Sequence, residues 1–177
     1  ARSRAPLQTG AELFGHAGLE SDLEVVSLML ETLSLAGLAD VHLDVGHVGV
    51  YRELARAAGL DAEGEADLFG IMQRKAVPEL DEFFAGLSVP ADVERLLRAL
   101  PELNGGPGAV GEAREALRGA PESVSRALDD VERLLERIRE RFPDLPVHVD
   151  FSELRGYHYH TGVVFAAFQA DRKSTRL

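Results

Sequence analysis

The sequence predicts an α+β fold with an antiparallel sheet, and three observations predict it. Strand-like patterning falls in four segments: Pro6 to His16, Val41 to Val45, Val147 to Phe151 and Tyr157 to Phe168. From Asp61 to about Gly119 the regular signals are helical only. One long amphipathic stripe, Ser123 to Phe142, precedes the last strands. Helices segregated from strands argue for α+β rather than alternating βαβ units. The block at about 61–119 reads as a helical insertion between sheet strands.

Each element has a local reason. Gly10 and Gly15 interrupt the first strand, as at a bulge or a close backbone approach. Ser21-Asp22-Leu23-Glu24 has the form of a capping box, and Leu23, Val26, Leu30 and Leu33 recur at helical spacing behind it. Gly37 is placed to end that helix. Val41-His42-Leu43-Asp44-Val45 alternates as a strand does. A helix then runs from about Val48 to Ala58 and stops at Gly59. Ala66 to Lys75, Glu79 to Leu87 and Ala91 to Leu100 are short amphipathic helices punctuated by Pro78, Pro90 and Pro101. Asn104 to Gly108 is a loop, and it lacks the Lys-Ser/Thr of a phosphate loop. Val124, Ala127, Leu128, Val131, Leu134, Leu135, Ile138 and Phe142 form one stripe of the next helix. Arg133, Arg137 and Arg141 share its other side with Asp129, Glu132, Glu136 and Glu140, a solvated face with i,i+4 pairs.

Composition narrows the function. The 177 residues suit one domain, 1–170, with a polar tail at 171–177 that need not belong to the fold. Residue 1 is not Met, and the chain is expected to be an internal fragment. Thirty Asp+Glu against 19 Lys+Arg give a net charge of -11, which disfavours a broad nucleic-acid-binding face. Cysteine is absent, which excludes disulfides, thiolate metal sites and a Cys nucleophile. The apolar runs are too short to span a bilayer, and no signal peptide is expected.

Three segments could carry chemistry. On a strand, Gln8, Gly10 and Glu12 point to one face, where an amide and a carboxylate either meet a small polar ligand or simply face solvent. Arg155-Gly156-Tyr157-His158-Tyr159-His160-Thr161-Gly162 gathers four ring side chains behind a guanidinium. On a strand, His158 and His160 would share one face and Tyr157 and Tyr159 the other. A metal would need a third ligand from elsewhere, so a ligand pocket with Arg155 as a carboxylate fork fits better. His42, Asp44 and His47 could form a metal or base pair, against the plainer reading that Asp44 bonds backbone or caps the following helix. No nucleophile-elbow motif is present.

Two of these segments carry a family resemblance. Gln8-Thr9-Gly10-Ala11-Glu12 resembles the Gln-x-Gly-x-Glu strand of the histidyl-tRNA synthetase lineage, a class II aminoacyl-tRNA synthetase-like fold. Arg155 to Phe165 resembles that lineage's histidine-binding signature. Synthetases usually read Arg-Gly-Leu-Asp-Tyr-Tyr-Thr-Gly there, whereas this sequence has Tyr157-His158 for Leu-Asp and His160 for the second Tyr. That variant, with Leu43 to Arg52 upstream, is similar to the ATP phosphoribosyltransferase regulatory subunits, synthetase paralogues of histidine biosynthesis. The resemblance covers about residues 4 to 169.

The resemblance implies a non-catalytic subunit that assembles with a short-form ATP phosphoribosyltransferase catalytic subunit, activates it and takes part in feedback inhibition by L-histidine. It implies a homodimer within a hetero-oligomer, in the cytoplasm, with no cofactor, metal, membrane or nucleic acid. By the same resemblance Arg155 faces the ligand carboxylate, Gln8 the amino group and Glu12 the imidazole, with His160 near the ring and Tyr159 beside it. Two alternatives stay open: a histidyl-tRNA synthetase fragment, which would be a ligase, and an unrelated small-ligand binding module.

Overall fold

The computed structural model describes residues 8–38 and 40–169. The chain enters through an irregular segment and forms helix α1, Leu19–Leu35, whose apolar side buries Val26 and Leu30. The helix starts two residues before Ser21, and the expected capping box does not form. The Ser21 hydroxyl instead donates to the His16 carbonyl at 3.1 Å and lies 2.7 Å from His16 Nδ1. Gly37, at φ 76°, ends the helix as expected, with its N–H on Ser34 O.

Strand β1, Val41–His47, runs into α2, Val48–Ala58. The left-handed Gly59, φ 67°, closes α2 where the sequence placed its end. The block that follows holds α3, Ala62–Gln73, capped by Asp61; α4, Glu79–Ala85; α5, Ala91–Ala99, continuing into a 3-10 turn at Leu100–Glu102; and α6, Ala109–Ala116. It is not wholly helical. Asn104–Gly105, expected as loop, form a two-residue strand β2. So short a strand has no periodicity to read; its pairing comes from its neighbour.

Helix α7, Glu122–Arg141, buries Val124, Ala127, Leu128, Val131, Leu134, Leu135 and Ile138, the stripe expected of it. Its charged side pairs at i,i+3 (Arg133–Asp130, Arg137–Glu140) and reaches other helices through Arg114–Asp129, Arg114–Glu132 and Arg141–Glu31. Strands β3, Val147–Asp150, and β4, Val163–Gln169, complete a four-stranded sheet of order β2-β3-β1-β4.

The α+β class is the observed one, but the sheet is mixed. β1 pairs antiparallel with β4 along its whole length, from Val41 opposite Gln169 to His47 opposite Val163. β2 and β3 are also antiparallel. β1 and β3 are parallel, with Asp44 opposite His148. A parallel pair needs a long crossover, and here the crossover is everything from α2 to α7. Leu43 and Val45 of β1 are fully buried and join one continuous core with α2, α5, α6 and α7. The opposite face of β1 carries His42 and Asp44, which leads to the loop between β3 and β4.

Candidate functional site

Residues 151–162, between β3 and β4, are turns, not the strand expected from Tyr157 onward. Gly156 is left-handed at φ 73°, and the Tyr159 and His160 N–H groups both donate to its carbonyl. The Tyr157 N–H donates to Leu154 O at 3.0 Å. This coiling breaks the alternation that a strand would impose. Tyr157 turns inward and is 5% exposed, whereas Arg155, His158, Tyr159 and His160 are all exposed, Tyr159 at 91%. An added Cβ at Gly156 would collide with the His160 imidazole, so the glycine also permits the ring to fold back over it.

The inward Tyr157 is anchored by residues that the sequence did not single out. Its hydroxyl donates to the Glu65 carboxylate of α3. The Tyr51 hydroxyl of α2 donates to the Glu65 carbonyl at 3.0 Å. Burial, then the neighbouring Glu65, pushes the Tyr157 phenol up to about 12, and burial raises that of Tyr51 as well. Phe69 completes the cluster, 5.4 Å from both the Tyr157 and His158 rings. One Arg52 amine donates to the carbonyls of Tyr157 and His160, each at 2.7 Å, and the guanidinium lies 4.9 Å above the Tyr157 ring. The only hint of this in the sequence is that Tyr51 and Arg52 close the Leu43–Arg52 stretch of the resemblance.

Arg155 holds Glu153: its N–H donates to Oε1 at 2.8 Å and its guanidinium to Oε2 at 3.2 Å. The guanidinium also sits 5.6 Å from the Phe168 ring of β4, and Phe168 stacks on His42. A ligand carboxylate would exchange with Glu153 for an exposed, permanently charged fork. On the same sheet face Asp44 lies 3.8 Å from His42 and 3.7 Å from His148. Among the described residues no group of three such side chains is arranged to hold a metal ion. Asp44 does not cap α2. His47 does, its Nδ1 accepting from Gly49 N at 3.0 Å, and its burial lowers the imidazole's proton affinity despite Asp130 nearby.

The loop is fastened to the sheet end at Asp150. Although burial pushes its carboxyl up, the 2.7 Å Lys75 ion pair and the Ser152 N–H and hydroxyl donors win and hold it below its ordinary range.

Gln8 and Glu12 are exposed in the irregular segment before α1. Residues 8–16 are not the expected strand, and Pro6 and Leu7 lie outside the described residues. An extended segment needs a paired neighbour to become a strand, and here it has none among the described residues. Thr9, Gly10 and Ala11 instead line a cavity of about 410 Å³ against Val25, Leu28, Met29, Thr32 and Leu33 of α1. Among the described residues no hydrogen bond or ion pair links Gln8 or Glu12 to Arg155, Tyr159 or His160.

Comparison with known proteins gives this arrangement a setting. The family profile for histidyl-tRNA synthetase matches residues 1–175. An ATP phosphoribosyltransferase regulatory subunit from Thioalkalivibrio sulfidiphilus (strain HL-EbGR7) is 52% identical over 168 residues, 95% of this chain and 42% of that protein. The chain thus spans less than half the length of that curated relative. An ATP phosphoribosyltransferase regulatory subunit/histidyl-tRNA synthetase from Bacillus halodurans C superposes with a TM-score of 0.75 at 26% identity, over 90% of this chain and 42% of that one. The ATP phosphoribosyl transferase (HisG:HisZ) complex from Thermotoga maritima shares the fold, with a TM-score of 0.65 at 18% identity, over 86% of this chain and 52% of that one.

Proposed function

Since this chain belongs to the histidyl-tRNA synthetase family, we propose that it is part of a non-catalytic regulatory subunit of ATP phosphoribosyltransferase. The observation that carries the reading is the 52% identity, along 95% of the chain, to a relative named as that subunit. In this reading the full-length protein assembles with the short-form catalytic subunit in the cytoplasm, raises its turnover in the first step of histidine biosynthesis, and binds L-histidine for feedback control. The Thermotoga maritima protein is named as an ATP phosphoribosyl transferase (HisG:HisZ) complex, which is consistent with such an assembly. Histidine binding falls to Arg155, Gln8, Glu12, Tyr159 and His160. Support for that site is chemical: Arg155 is an exposed fork whose partner Glu153 is exchangeable, and it stands on one short loop with Tyr159 and His160.

A second reading, a histidine–tRNA ligase, is favoured by the family profile's own description and by the dual name of the Bacillus halodurans protein. The discriminating experiment uses the full-length protein. Mixed with a short-form catalytic subunit, it should form one species of summed mass and raise the reaction rate, while histidine- and ATP-dependent pyrophosphate exchange stays at background. Separate elution with an unchanged rate would overturn the first reading, and exchange at synthetase-like rates would overturn it in favour of the second.

A further inference from the structure

We propose that Arg52 is the positioning residue of the histidine site, a claim that rests on the site reading above. The residue does not stand in the loop. It lies on α2, more than 100 positions earlier in sequence, and touches the loop at two points with one amine. The Tyr157 and His160 carbonyls flank the exposed Tyr159, and each accepts at 2.7 Å. The loop satisfies its Leu154 and Gly156 carbonyls internally but has no strand ladder between Phe151 and Gly162, so the Tyr157 and His160 carbonyls take their donor from elsewhere. A guanidinium suits this because it is permanently charged and carries its donors in a fixed plane. Its face on the Tyr157 ring, 4.9 Å to the centroid, restrains it further.

The start of the same helix holds the loop's far end. The Val48 N–H donates to Gly162 O at 3.2 Å, and Gly49 leaves room for the His47 imidazole that caps the helix. α2 thus bonds the loop at 157, 160 and 162, while Glu153 and the Phe168 ring hold Arg155. Arg52 is the side chain that sets where His160, and with it the ring side of the site, stands relative to Arg155. It touches no ligand in this account and acts only through the loop backbone.

The test uses the full-length protein and two substitutions, Arg52→Ala and Arg52→Lys. Amide hydrogen exchange is followed across residues 156–162 and across α7, alongside histidine titration by calorimetry and thermal unfolding. In Arg52→Ala the loop amides should exchange at least tenfold faster while α7 amides keep their protection, and histidine affinity should fall at least tenfold. Arg52→Lys, which offers a point charge in place of the planar fork, should fall between wild type and Arg52→Ala in both readouts. Wild-type loop exchange in the folded variants overturns the proposal, as does faster loop exchange with histidine affinity within twofold of a histidine-binding wild type. If Arg52→Ala does not fold, Arg52→Lys alone decides by the same criteria. Should wild-type protein bind no histidine at all, the site reading fails, and loop exchange alone decides whether Arg52 sets the loop.

Discussion

At the scale of single residues, positions 150 and 156 govern the loop between the last two strands. Gly156 is left-handed and lies under the His160 ring. Gly156→Ala should cost about 1–2 kcal/mol from backbone conformation alone, and the displaced imidazole should weaken histidine binding as well. Urea denaturation measures the first effect, and an unchanged midpoint would contradict it. Asp150 is 14% exposed and accepts from Lys75 and twice from Ser152. Asp150→Asn should lose about 1.5–3 kcal/mol near neutral pH, the range for hydrogen bonds to a charged group. Its folded carboxyl titrates below the ordinary 3.8. The stabilisation is therefore fully present above that value and is lost as pH falls through the lower folded value. Stability curves for wild type and Asp150→Asn should converge toward acid below about pH 4. Curves that stay parallel down to strong acid would rule out a depressed carboxyl.

At the scale of elements, the helices whose periodicity is complete within themselves were legible. α7 lies where the apolar spacing put it, and α2 lies where it was expected, ended by the left-handed Gly59. The central apolar residue of α7 offers a direct check. Leu134 is fully buried, so Leu134→Ala should destabilise by about 2–5 kcal/mol through lost burial plus the cavity left behind. A loss below 1 kcal/mol, by denaturant titration, would mean that α7 does not centre the core. Ser21 shows where local reading stops. Its spacing to Glu24 suits a cap, but the chain's entry through Gly18 starts α1 earlier and leaves the hydroxyl to His16. Asp44 is a second case: the cap of α2 falls to His47, because β1 runs on to the residue just before the helix.

At the scale of the whole molecule, the proposed histidine site joins two distant segments. Glu12→Ala in the full-length protein should weaken histidine binding at least tenfold, about 1.4 kcal/mol, and reduce selectivity over leucine. Arg155→Ala should weaken binding further, and alike for both amino acids, because the carboxylate is common to them. Calorimetric titration of both variants against both amino acids separates the effects. Unchanged histidine affinity in the two variants would remove Glu12 and Arg155 from the site.

Local pattern was enough for the long helices, for β1, β3 and the residues of β4, and for the residues that carry the family signature, because each of those signals repeats within one segment or is a short string. The fate of the signature was not local. Tyr157 to Thr161 have a strand-like composition, yet they coil, because Gly156 turns the chain, Arg52 and Glu65 from α2 and α3 supply hydrogen-bond partners that no neighbouring strand provides, and the Tyr51 ring packs on Tyr157. The parallel pairing of β1 with β3 is equally non-local. It depends on the whole helical crossover packing back onto the sheet, and no window of residues contains that information.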